Sequence, residues 1–121
     1  MRRIIFCSAI CLYSFSSLSV SAANTEETVK TSAAGSALCK SYADALGYDS
    51  GKFIELNILI TKVADKMGYT KDFYPYQAEI NDIKSALNKE VKNKYGSMDN
   101  AYKDWCFRFY DGVQRSIMAN R

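Results

Sequence analysis

Histidine is absent from all 121 residues. That removes the Ser-His-Asp and Cys-His nucleophile systems and the commonest zinc ligand. No metal-ligand spacing and no glycine-rich phosphate loop occurs either. Proline occurs once, at Pro75. The longest apolar run, near the start, falls short of the roughly 20 residues a membrane-spanning helix needs. Glycoside hydrolysis would need only two carboxylates, and Asp44, Glu55 and Asp65 could be drawn as such a pair. They are scattered among lysines, as on solvated helix faces. The chain therefore reads as a non-enzyme, with no cofactor and no metal.

What is present begins with residues 1–23. Met1-Arg2-Arg3 is a short basic start, and Ile4 to Tyr13 is an apolar run. Small residues precede a cut after Ala22 or Ala23. This is the layout of a secretory signal peptide of the bacterial Sec type. Cys11 follows Ser8-Ala9-Ile10, a poor lipobox, so no lipid anchor is expected. The expected location is the periplasm, with the signal cleaved.

Cleavage changes the arithmetic. Taking Arg2 and Arg3 from the 16 Lys and Arg leaves about fourteen bases against 13 acids. A near-neutral chain gives no case for nucleic acid or an anionic membrane as partner. Cys7 and Cys11 leave with the signal, and Cys39 and Cys106 remain. One cysteine pair in an oxidising compartment reads as a disulfide.

The mature chain reads as a single all-α domain, a four-helix bundle stapled by Cys39–Cys106. Residues 24–31 are polar and read as a loose leader. The first helix is expected over 32–46, with Ala34, Leu38, Cys39, Tyr42, Ala43 and Leu46 on one face. Gly35 weakens its first turn. The second runs from Ser50 or Lys52 to Met67, and Phe53, Leu56, Ile60 and Val63 form its stripe. Ile54, Ile58 and Leu59 widen that stripe, so this helix is expected at the centre. A buried strand over 53–60 competes, but the length favours a helix. The third runs from Pro75 or Tyr76 to Tyr95, and the fourth from Ser97 to Met118. Gly47, Gly68 and Gly96 follow the first three as left-handed caps. Ala-Asp-x-x-Gly-Tyr occurs at 43–48 and again at 64–69, which reads as one capping solution used twice.

Two aromatic runs are candidates for binding. Tyr69 to Tyr76 places four rings in eight residues at an expected loop. Tyrosine buries large area at low entropy cost and keeps a polar handle. Tyr69 and Tyr76 suit the core; Lys71, Asp72, Phe73 and Tyr74 are the candidate partner-binding residues. In the fourth helix Trp105 and Phe109 fit the core stripe. Phe107 and Tyr110 fall off it and are candidate homodimer contacts, unless they pack on neighbouring helices.

With its signal, its Cys39 and Cys106, its lack of catalytic groups and its aromatic surface candidates, the chain resembles small periplasmic immunity proteins. These protect bacteria from their own cell-wall-degrading type VI secretion effectors. The resemblance implies a steric inhibitor that plugs the cleft of a peptidoglycan hydrolase, an amidase or a muramidase. Loop 69–76 would enter that cleft, with Lys71 pairing to an acidic catalytic site. The chain is also similar to the helical pilotins of type II secretion, in its cysteine pair and in Gly68-Tyr69 ending a central helix. That resemblance implies an assembly factor binding an amphipathic secretin helix in a groove.

Overall fold

A computed structural model describes residues 26–119, and the signal-peptide reading lies outside them. Four helical stretches fill these residues. They are α1 (Glu26–Leu46), α2 (Gly51–Lys66), α3 (Phe73–Tyr95) and α4, residues 98–119. The fourth is not uniform. It opens as Met98–Asn100, widens to a π-helix over Ala101–Cys106, and returns to α-helix over Phe107–Ala119. The all-α bundle expected from the sequence is what forms, and 53–60 is helix.

The helix at the centre is α1, not α2. Eleven of its residues are buried, from Val29 to Ala43. Only four of α2 are: Phe53, Leu56, Ile60 and Ala64. Ile54, Ile58 and Leu59 are exposed. The reason is size rather than hydropathy. Ser32-Ala33-Ala34-Gly35-Ser36 is thin on every side, so neighbours approach α1 from several directions. Gly35 shows this directly: a Cβ there would lie 2.5 Å from Cζ of Phe109. Packing at that separation is possible only without a side chain. Phe109 stacks in turn on Trp105, centroids 5.2 Å apart.

Residues 26–31 also differ from the loose leader expected. They form the first turns of α1, with Val29 and Lys30 buried. Glu26 and Glu27 occupy the first turn, where carboxylates favour the positive end of the helix dipole. Lys30 pairs with Glu26 at 2.9 Å and with Glu79 of α3 at 2.6 Å, tying the segment down. A polar stretch looks loose in sequence when its partners are fifty residues away.

The caps form as the residues require. Gly47, Gly68 and Gly96 all have φ near +80°. The repeated hexapeptide makes the same pair of bonds twice. Tyr48 N donates to Ala43 O and Gly47 N to Asp44 O; Tyr69 N donates to Ala64 O and Gly68 N to Asp65 O. This is the Schellman pattern. Ser97 caps α4 through its hydroxyl, which accepts from Asn100 N at 3.2 Å. Ser50 does not cap α2 with its side chain; its hydroxyl serves Asp44 instead.

Cys39 and Cys106 are bonded and fully buried, joining α1 to the π-helical part of α4 across 67 residues. The π turn places Ala101, Tyr102, Trp105 and Cys106 inward together. α2 and α3 pack on opposite flanks of α1 and scarcely touch each other. α4 fills the gap between them on one side; on the other only its first residue, Met98, reaches the space between α1 and α3.

Candidate functional site

The aromatic segment forms one end of the bundle. Gly68 turns the chain, and Thr70 Oγ1 donates to Asp65 Oδ1 behind the turn. Helix α3 then starts at Phe73, two residues earlier than expected. Tyr76 N donates to Asp72 O at 3.1 Å and closes the first turn. Pro75 needs no donor there, because the first four N–H groups of a helix lack intrahelical partners. Phe73 and Tyr74 therefore stand on a helix turn rather than a loop.

Their exposure separates the four rings as the sequence reading did. Tyr76 is buried and Tyr69 packs against the core. Phe73 is 56% exposed and Tyr74 is 83% exposed, the most exposed large apolar side chain among the described residues. The two rings meet edge to face at 5.7 Å. Lys71 and Asp72 beside them are exposed, as is Met67 at the end of α2. The result is an apolar tip flanked by one cation and one anion.

Beneath the tip lies a support the sequence reading missed. The Lys30 side chain is 8% exposed, held between Glu26 and Glu79. Its ammonium lies 5.8 Å from the Tyr76 ring centre. Burial lowers the Lys30 pKa, but hydrogen bonds to Glu79 and Glu26 outweigh it and hold the value above normal. Burial also pushes the Tyr76 hydroxyl up. The first turn of α3 is thus anchored to α1 by a retained charge and a buried ring. The signal available was Lys30 with Glu26, an i,i+4 pair on the first helix.

Phe107 and Tyr110 find partners within the chain. Phe107 meets Tyr102 edge-on at 5.4 Å, and Tyr110 meets Phe53 at 5.7 Å. Lys52 Nζ lies 4.1 Å from the Phe107 centroid and 4.8 Å from that of Tyr110. Both side chains therefore contribute to the α2–α4 seam, a cation–π arrangement. Phe107 keeps 44% of its surface.

Of the carboxylates considered for catalysis, Asp44 lies near the end of α1, and Glu55 and Asp65 stand ten residues apart on α2. Hydrogen bonds from Lys40 and then Ser50 hold the Asp44 carboxyl below its ordinary value. Asp65 accepts from Thr70, and Glu55 is exposed on α2. Among the described residues, no group of three or more Cys, Asp or Glu is placed to hold a metal ion. What the tip offers chemically is desolvation of aromatic surface with a charge on each side.

Comparison with protein-family models, with curated proteins and with solved structures finds no match.

Proposed function

We propose that this chain is an exported binding protein that inhibits a secreted peptidoglycan-degrading enzyme, an immunity protein against an amidase or muramidase effector. The observation that carries this reading is the exposed Phe73–Tyr74 pair on an anchored helix turn. Solvated rings at a convex end are suited to filling a concave cleft, and buried aromatic anchors dominate interface energetics. The tip is pre-ordered by Lys30, Tyr76 and the Gly68 turn, so little ordering entropy opposes docking. Lys71 would approach a catalytic carboxylate of the target. Inhibition is steric, and no covalent step is involved.

The test is a pull-down of the mature protein from periplasm and culture supernatant of its own host, read by mass spectrometry and a peptidoglycan-release assay. A stoichiometric cell-wall hydrolase, inhibited on binding, is the expected catch. Phe73→Ala with Tyr74→Ala should weaken that complex at least 30-fold, the effect of about 2 kcal/mol at a hot spot. Full affinity in the double variant would remove the tip from the interface. Recovery of no hydrolase would remove the inhibitor reading.

A further inference from the structure

The inhibitor reading uses one end of the bundle and leaves its open side unexplained. That side lies where α2 and α3 flank α1, with Met98 at the start of α4 closing one end. Its floor is the α1 stripe Ala37, Ser41 and Ala45, spaced four residues apart, with Ala37 half-buried and Ser41 and Ala45 exposed. One wall carries Ile54 and Ile58 of α2, which are 41% and 50% exposed. The other wall is α3 from Asn81 to Lys92. Two concavities of about 320 Å³ and 490 Å³ lie along the floor. Lys84 lines both, and its Nζ donates to Ser41 Oγ at 3.0 Å where they meet.

We infer that this groove binds an amphipathic helix with acidic flanks. The shape argues for a helix. A floor spanning eight residues is about 12 Å long, roughly two helical turns. Small floor residues let a second helix approach closely, and the space is the one a further helix of the bundle would occupy. Ile54 and Ile58, one turn apart, offer an apolar ledge for residues at i and i+3 or i+4 of the incoming helix.

The charge argues for acid. Lys40, Lys84 and Lys92 line the groove, and no carboxylate is among the residues lining either concavity. Lys40 is already paired with Asp44 at 2.7 Å. Lys84 bonds a hydroxyl instead of a carboxylate. Lys84 and Lys92 thus leave one wall with uncompensated positive charge, facing the apolar ledge. An occupant with an apolar stripe and Glu or Asp on the flank toward α3 complements both walls. A basic helix would be repelled by the same wall. The groove uses the C-terminal half of α1, and the tip sits by its N-terminal half, so this site does not rest on the inhibitor reading.

The probe is a displayed library of 15-residue helical peptides with a fixed apolar stripe and flanks randomised over Glu, Lys, Gln and Ser. It is selected on the oxidised, exported protein. Enrichment of Glu over Lys on one flank is expected. Binding of the best peptide should fall at least tenfold in Ile58→Asp and in Lys84→Glu, and should be unchanged in Tyr74→Ala. Lys84→Glu with Lys92→Glu should turn the selection toward Lys. Ile58 and Lys92 are exposed, and thermal unfolding of each variant confirms that the fold is kept. Three results would overturn the groove: no peptide above background, no charge bias, or binding that survives Ile58→Asp. Binding lost only in Tyr74→Ala would also overturn it, and would leave the tip reading standing.

Discussion

Gly35→Ala tests the claim that size rather than hydropathy puts α1 at the centre. In a solvated helix this change should stabilise, because Ala exceeds Gly in helix propensity by about 1 kcal/mol. Here the new Cβ would fall 2.5 Å from Cζ and 3.1 Å from Cδ1 of Phe109. The ring cannot swing aside freely: it is 3% exposed and stacked on Trp105 at 5.2 Å. Overpacking of this kind costs about 1–3 kcal/mol. Setting the two effects against each other leaves a net loss of about 1–2 kcal/mol at the upper part of that range. For a domain of this size the midpoint should drop by roughly 4–16 °C. The assay is thermal and urea unfolding of the oxidised protein, followed by far-UV circular dichroism. Phe109→Leu should recover part of the loss in the Gly35→Ala background while being destabilising alone, a coupling that a double-mutant cycle measures. A more stable Gly35→Ala protein, or strictly additive changes, would refute the packing argument.

Replacing Cys39 and Cys106 together by Ala removes a bridge that closes 67 residues. Chain entropy assigns that loop about 4 kcal/mol, so the midpoint should fall by roughly 15–30 °C; an unchanged midpoint would show that the bridge adds nothing. Acid should also weaken the fold. A hydrogen bond from Tyr95, with the nearby Arg108, holds the Asp104 carboxyl below its ordinary value. The unfolded chain, near about 3.9 for Asp, then takes up this proton first. Stability is therefore present above that value and lost as pH falls through the folded pKa. Asp104→Asn should flatten the decline in urea midpoint between pH 5 and pH 2, by a protocol spanning about three pH units; an identical slope would show that this group does not contribute.

Much of the fold was legible because its signals are local. Gly47, Gly68 and Gly96 each mark a helix end through a backbone conformation that other residues resist. The repeated Ala-Asp-x-x-Gly-Tyr forms the same two cap bonds in each copy. The cysteine pairing followed from counting. What escaped depends on contacts far apart in sequence. Lys30 is buried because Glu79 lies opposite it, and its i,i+4 pairing with Glu26 does not by itself announce that. The placement of α2 was misjudged because its apolar stripe is wider than its contact face: Ile54 and Ile58 lie beyond what α1 covers. The same excess apolar width lines the groove. A groove for an amphipathic helix was implied by resemblance alone, and the residues now proposed to line one could be placed only once α2 and α3 were seen to flank α1. The π turn at Ala101–Cys106 left no mark in the sequence, because its extra width shows only against a packed neighbour.

The two surfaces make different demands on the same core, and the bundle meets them in different ways. The tip must hold two rings more than half in water without letting them collapse inward. Tyr76 and Lys30 achieve this by filling the space beneath, so Phe73 and Tyr74 have nowhere to retreat. The groove must stay open although Ile54 and Ile58 would lose water contact if α2 and α3 closed over α1. Closure is opposed by Phe53 at the foot of the groove, which is fully buried against Tyr102 and Tyr110, while the disulfide fixes α4 to α1. Moving α2 toward α3 would pull Phe53 out of that seam, and a buried phenylalanine contributes about 1.5–3 kcal/mol by area alone. Each exposed isoleucine retains half or more of its surface in shadow already, so covering the remainder returns less. The balance keeps the groove open, so that the helix proposed to bind there would cover Ile54 and Ile58 without the bundle having to rearrange.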